Sequence, residues 1–403
     1  MIELADLARS PNALARHYSR FRVADRLLLT GHSHQAWPDV AREAQLEAYD
    51  DAAELVDGKW DRAFARADAV RAGFRHLLCD PGGAIALGAS THDVVVRFLS
   101  ALDVGRRRRL VTSSGEFHTL RRQLARLAEA GIEVEWVAAE PATTLAERLA
   151  AAVDDRTAAV LVSAVLFETA GVVPHLGALG PACRRRGAEL LVDAYHALGV
   201  VPFPIHALGL GDAWVVGGGY KYLQLGEGNC FLRLPPHAHR LRPVVTGWYA
   251  DFDTLPDESR PDPVAYGPGA QRFAGATYDP TSHYRAARVF RFFDEQGLTP
   301  ELLHDSYRHQ REVLARGFDA LGLPDEVITR DRATPPSGFG GFLALDTPDA
   351  SGLREALRER GVSVDARGRF LRLGPAPYLS DGQLETAVGV LGEAVRDVHR
   401  AGW

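Results

Sequence analysis

Between Leu110 and Asp193 the chain alternates short apolar runs with segments of helical periodicity, and this alternation constrains the fold more than any other feature. Leu110-Val-Thr-Ser, Ile132 to Val137, Ala158 to Leu166 and Glu189 to Asp193 read as strands. Glu116 to Ala130, Leu145 to Val153 and Leu179 to Arg186 read as the helices between them. Strands that take turns with helices build βαβ units, so the prediction is an α/β fold with a mostly parallel sheet.

Parallel sheets gather their chemistry outside the carboxyl ends of their strands. Two such ends stand out. Glu189-Leu-Leu-Val-Asp-Ala-Tyr-His196 closes a strand on an acid, Asp193. Trp-Val-Val-Gly-Gly-Gly-Tyr-Lys-Tyr, from Trp214 to Tyr222, leaves a buried strand through three glycines and delivers Lys221. Glycines strip side chains from the backbone, which predicts room there for something bulky. An acid and a lysine at two strand ends suggest pyridoxal 5′-phosphate (PLP): the lysine forms the Schiff base and the aspartate keeps the pyridinium nitrogen protonated.

A phosphate needs an anion site upstream. Ala84-Ile-Ala-Leu-Gly88 reads as a strand, Ala89-Ser90-Thr91 as a small-residue turn, and His92 to Leu102 as a helix. Free amides and the helix dipole favour a phosphate at such a turn. Ser90 or Thr91 serves equally as an N-cap, and both readings hold together. Phe117 and His118 stand where a strand end meets a helix, suited to stacking on a cofactor ring or to packing the core. Glu168-Thr-Ala-Gly171 follows another strand end and points toward a site. Gly31-His-Ser-His-Gln-Ala-Trp-Pro38 is a loop that either lines the site or packs Trp37 and leaves its histidines wet. His32 and His34 lack a Cys or acid partner at metal spacing, so no metal is expected.

Bulk properties narrow the class. The 403 residues are 46% hydrophobic, enough for a large domain and a smaller one. Net charge is −6, and the one basic block, Arg106 to Arg109, reads as a solvated strand entrance, so no nucleic-acid partner is expected. Cys79, Cys183 and Cys230 form no CxxC, which fits a reducing compartment. The first residues, Met-Ile-Glu-Leu-Ala-Asp-Leu, lack the basic and apolar regions of a signal peptide. Ala158 to Phe167 is too short to span a bilayer. A cytoplasmic protein with no membrane partner is expected. Three parts are predicted: residues 1–45 as an N-terminal arm and loop, 46–280 as the large domain, and 281–403 as a small α+β domain. Residues 235–280 are loop-rich, and helices are expected from Tyr284 to Glu295, Pro300 to Leu321, Ala350 to Arg360 and Ser380 to Val398, with strands at Gly340 to Leu345 and Phe370 to Leu373.

From Gly31 to about Tyr378 the chain resembles fold-type I PLP enzymes of the class V aminotransferase group, and most of all the kynureninases. The strongest pieces are Val192-Asp-Ala-Tyr-His-Ala-Leu-Gly199, Gly219-Tyr-Lys-Tyr-Leu223, Gly247-Trp-Tyr249 and Arg369-Phe-Leu-Arg-Leu-Gly-Pro-Ala-Pro-Tyr378. The resemblance implies Lys221 as the Schiff-base lysine and proton shuttle at Cα. It implies Asp193 on the pyridine nitrogen, His196 beside the ring and Phe117 stacked on it. Ser90, Thr91 and Tyr220 would hold the phosphate, with Trp248 and Thr277 reaching it from the partner subunit of a homodimer. Arg372 would clamp the substrate α-carboxylate, a task suited to a bidentate guanidinium.

The implied reaction is Cβ–Cγ hydrolysis or β-elimination that forms alanine from a β-substituted amino acid, with transamination or epimerisation as the alternative. A cysteine desulfurase would need a cysteine in the small domain, and all three precede residue 231. The chain departs from the kynureninase pattern where a substrate side chain would sit. It has Gly31-His-Ser-His-Gln35 in place of Gly-Asn-Ser-Leu-Gly, Phe117-His-Thr-Leu120 in place of Phe-Pro-Ser-Asp, and no Ser-Asn-Pro near Ala276-Thr-Tyr278. His32, His34, His118 and Tyr278 are therefore candidates to line a changed substrate pocket.

Overall fold

The computed structural model describes residues 2–252 and 263–400, so part of the loop-rich 235–280 stretch lies outside the described residues. The arm brings a short helix, α1 (Leu4–Ala8), and a two-residue strand, β1 (Leu27–Leu28). Helices α2 (Val40–Leu55) and α3 (Lys59–Leu77) lead into β2 (Ala84–Gly88) and α4 (Thr91–Ser100). The alternating units follow as β3 (Arg109–Ser113), α5 (His118–Glu129), β4 (Glu133–Val137), α6 (Leu145–Ala152), β5 (Thr157–Ser163), α7 (Leu179–Arg186), β6 (Glu189–Asp193), β7 (Trp214–Gly218) and β8 (Cys230–Leu234).

Strands β2 to β8 form one sheet in the order β2-β8-β7-β6-β5-β3-β4. Neighbours from β7 to β4 are parallel, and β8 runs against both β7 and β2. All seven residues of β5 are buried, as a central strand covered on both faces requires. Trp214, fully buried, packs its ring 5.3 Å from Phe98 and 5.0 Å from Phe273, and its indole N–H donates to Glu189 at 2.7 Å. Removing such an anchor costs about 3–5 kcal/mol.

The chain continues through α8 (Thr281–Gln296), α9 (Pro300–Ala320), β9 (Leu343–Asp346), α10 (Ala350–Glu359), β10 (Val362–Ser363), β11 (Asp365–Arg367), β12 (Phe370–Leu373) and α11 (Asp381–Arg400). An antiparallel sheet, β11-β12-β9, carries Arg372 on its middle strand. The arm docks here: β1 pairs in parallel with β10, and Gly31 N donates to Gly374 O at 2.7 Å. A Cβ on Gly31 would stand 2.0 Å from Pro375 O, so only glycine permits this approach.

Two expectations need correction. Arg109 is buried and paired with Glu133, Glu135 and Asp154, so the basic block is solvated at Arg106 and Arg108 but not at its last residue; desolvating the guanidinium requires those acids. The glycines before Lys221 do not open room. A Cβ on Gly217 would meet Phe231, on Gly218 Cys230 and Tyr195, and on Gly219 Leu225, so these residues are small because the protein's own side chains fill the space.

Candidate active site

The carboxyl ends of β2, β3, β5, β6 and β7 converge on one edge of the sheet, and a cavity of about 250 Å³ opens there. Ser90, Thr91, Phe117, Asp193, His196, Tyr220 and Lys221 all line it. Each stands within four residues after a parallel strand or at its last position, so the sheet registers them against one another.

Lys221 is 5% exposed, and its Nζ lies 2.7 Å from His196 Nε2. The amine also stands 4.8 Å from the centre of the Phe117 ring and 4.6 Å from that of Tyr195. Burial lowers the Lys221 amine to about 7, against the pull of Asp193. Burial likewise drives His196 well below its ordinary value, with the Lys221 charge adding to the effect. Neutral His196 then accepts the lysine proton at Nε2 and carries its own on Nδ1, which is buried without a partner. Asp193 accepts from the Tyr195 amide at 2.8 Å; burial raises its carboxyl, and that amide and Lys221 oppose the rise.

In the same wall Ser90 caps α4, its hydroxyl accepting from Asp93 N at 3.2 Å. Thr91 and His92 line the cavity at the start of this helix, where amides lack intrahelical acceptors. An anion-favouring helix start, a lysine, an aromatic face and a carboxylate thus line one cavity. That donor set fits a phosphorylated pyridine aldehyde: the start of α4 would receive the phosphate, Lys221 would take the aldehyde and Asp193 would hold a proton on the ring nitrogen.

Other candidates do not line this cavity, though several touch residues that do. Arg372 is 3% exposed; it pairs with Asp365, directly across from it on β11, and its Nη1 donates to Phe167 O. Its Nε is buried without a partner. His32 is buried against the Phe342 ring at 4.6 Å, with Nε2 3.7 Å from Asp365 Oδ2, and burial lowers it to about 4. Burial pushes Asp365 up, but His32 and Arg372 outweigh it and hold the carboxyl well below the usual range. His34 is exposed and stacks on Tyr220 at 5.1 Å. His118 packs against Phe117 and Phe167. Trp248, 47% exposed, donates through Nε1 to Thr277 at 3.2 Å. Thr277 and Tyr278 line a wider neighbouring cleft of about 1270 Å³ that shares Ala89, Glu227 and Gly228 with the first. The Glu168–Gly171 turn is not in either wall; Thr169 instead donates to Glu140 at 3.3 Å.

Two features escaped the sequence. Gln224 holds a left-handed backbone (φ 60°) although it is not glycine, and its amide donates to Lys221 O at 3.1 Å. Its side chain joins Tyr18 and Gln35, and Gln35 reaches Tyr307, so a buried polar chain ties the Lys221 loop to the arm and to α9. The second feature is Glu116, fully buried beside Ser113 and Ser163. A carboxyl just after a strand was its only sequence signal.

No family model matches the chain. It is 28% identical to a kynureninase of Pseudomonas fluorescens over 61% of its own length and 58% of that protein's. It thus spans under two thirds of that relative. It is 23% identical to an uncharacterized aminotransferase of Bacillus subtilis (strain 168), over 88% of this chain and 90% of the other. Among solved structures it superposes on the cystine C-S lyase C-DES, in a variant with glycine covalently linked to the PLP cofactor, with TM-score 0.81, 17% identity and coverage of 94% and 98%. A cysteine desulfurase from Thermococcus onnurineus NA1 matches with TM-score 0.78 and 17% identity over 96% and 99%. The chain therefore has the fold of the fold-type I PLP-dependent enzymes and, within them, resembles the kynureninases and aminotransferases.

Proposed function

We propose that this protein is a PLP-dependent enzyme acting on an α-amino acid, with a kynureninase-like reaction that releases alanine from a β-substituted substrate. The observation that supports it most is the buried Lys221 amine, hydrogen-bonded to His196, beside Phe117, and facing Asp193 across one cavity. Bound there, PLP supplies an electron sink for charge developing at Cα.

The chain's own residues supply the rest. Lys221 is the attachment point and, with an amine lowered to about 7, a general base for the Cα proton at neutral pH. His196 fixes the direction of Nζ. Asp193 holds a proton on the ring nitrogen by its charge. Ser90, Thr91 and Tyr220 receive the phosphate. Arg372 takes the substrate carboxylate by sharing a guanidinium already oriented by Asp365 and Phe167 O. His32, His34 and His118 surround the side-chain end. Trp248 and Thr277, outside the Lys221 cavity of their own chain, complete the phosphate site of the partner subunit in a homodimer.

A second reading, an aminotransferase, is favoured by the relative that matches nearly end to end. The PLP-loaded protein incubated with L-kynurenine or 3-hydroxykynurenine separates the two. Alanine and an anthranilate support the first reading. Amino transfer to a keto acid without C–C cleavage supports the second.

A further inference from the structure

Glu116 stands between β3 and α5 with no exposed surface and, among the described residues, no ion pair. Its Oε1 accepts from Ser113 Oγ at 2.5 Å and from the Ser163 amide at 3.1 Å, and Oε2 lies 2.6 Å from Ser163 Oγ. Ser163 closes β5, sits in register beside Asp193 on β6, and lines the Lys221 cavity. A second carboxyl therefore lies behind Asp193, linked to its neighbourhood through one hydroxyl.

Two carboxyls so placed, Glu116 fully and Asp193 partly buried, do not both ionise cheaply. Their surroundings decide which one keeps a proton. Asp193 faces the Lys221 amine and the Tyr195 amide. Glu116 meets neutral groups from β3 and β5, the Asp193 charge from β6, and from α5 the first turn, where His118 packs on Phe117 and Phe167. Burial raises Glu116 to about 7, the serines oppose this, and Asp193 adds to it. With Glu116 protonated, its O–H donates to Ser163 Oγ, and the serine hydrogen is free for another acceptor. With Glu116 ionised, that hydrogen turns back to Oε2.

We propose that Glu116 is a positioning residue which, through the Ser163 hydroxyl, sets the negative charge presented to the ring nitrogen of the cofactor beside Asp193. The inference rests on the PLP reading. Its test is the absorbance of the PLP-loaded protein followed against pH in the wild type, Glu116→Gln and Ser163→Ala. In the wild type, ionised Glu116 helps hold the ring proton at high pH. Glu116→Gln removes that charge and should lower the spectral midpoint by about one pH unit. Ser163→Ala keeps the acid but cuts the link, and should shift the midpoint in the same direction by a smaller amount; it also serves if Glu116→Gln fails to fold. PLP-loaded variants that titrate like the wild type overturn the proposal alone. A wild type that takes up no PLP overturns the functional reading, and the proposal with it.

Discussion

His196 Nε2 lies 2.7 Å from Lys221 Nζ, and both groups are buried. Burial lowers both groups' affinity for a proton, and at this distance the Lys221 charge lowers that of His196 further. The pair is therefore built around a neutral imidazole and an amine that readily gives up its charge.

Replacing Lys221 removes the base and the attachment point. Lys221→Ala should lower kcat by about 10²–10⁴-fold, the usual contribution of a positioned general base. Far-UV circular dichroism should stay unchanged. His196→Ala removes one hydrogen bond to a charged group and should cost about 1.5–3 kcal/mol, or roughly 10–10²-fold in kcat/KM.

The pH profile follows from the same amine. Lys221 accepts a proton from substrate only when it is itself unprotonated. With its amine lowered to about 7, activity should fall on the acid side through that pH and plateau above it. A rate profile of kcat measures this.

Acid stability should depend on His32. Burial lowers its folded-state value to about 4, while the unfolded chain protonates near 6.5. The unfolded state thus binds more protons in that window, and stability is lost as pH falls from about 6.5 to 4. His32→Asn should flatten this loss relative to the wild type in urea titrations at each pH.

Asp365 is predicted to matter more for the fold than for the chemistry. Asp365→Asn leaves Arg372 buried without its counter-charge, which costs about 3–5 kcal/mol. Arg372→Lys keeps a charge but loses the planar fork, and should raise KM more than it lowers kcat.

The sheet was legible because its strands are continuous apolar runs broken by helical periods, and the Asp193/Lys221 relationship followed from their positions at strand ends. Strand β8 went unread: Cys-Phe-Leu-Arg-Leu is short, its arginine interrupts the run, and Arg233 is buried because Asp80 and the Gly211 and Ala213 carbonyls pair with it. The Asp365–Arg372 pair depends on a β-hairpin register that no local pattern specifies. The three glycines were visible, but what fills the space beside them comes from Tyr195, Leu225 and Phe231, distant in sequence or beyond the turn. One sequence signal went unused. The chain contains only two lysines, Lys59 and Lys221, among many arginines, and a lysine kept in a buried loop of such a chain points to chemistry that arginine cannot perform.

That scarcity makes the most direct test unusually clean. The protein is incubated with PLP, reduced with borohydride, digested, and its peptides are weighed. The account predicts the reduced pyridoxyl mass on the peptide carrying Lys221 and none on the peptide carrying Lys59. Absence of label, or label on Lys59 alone, would contradict it.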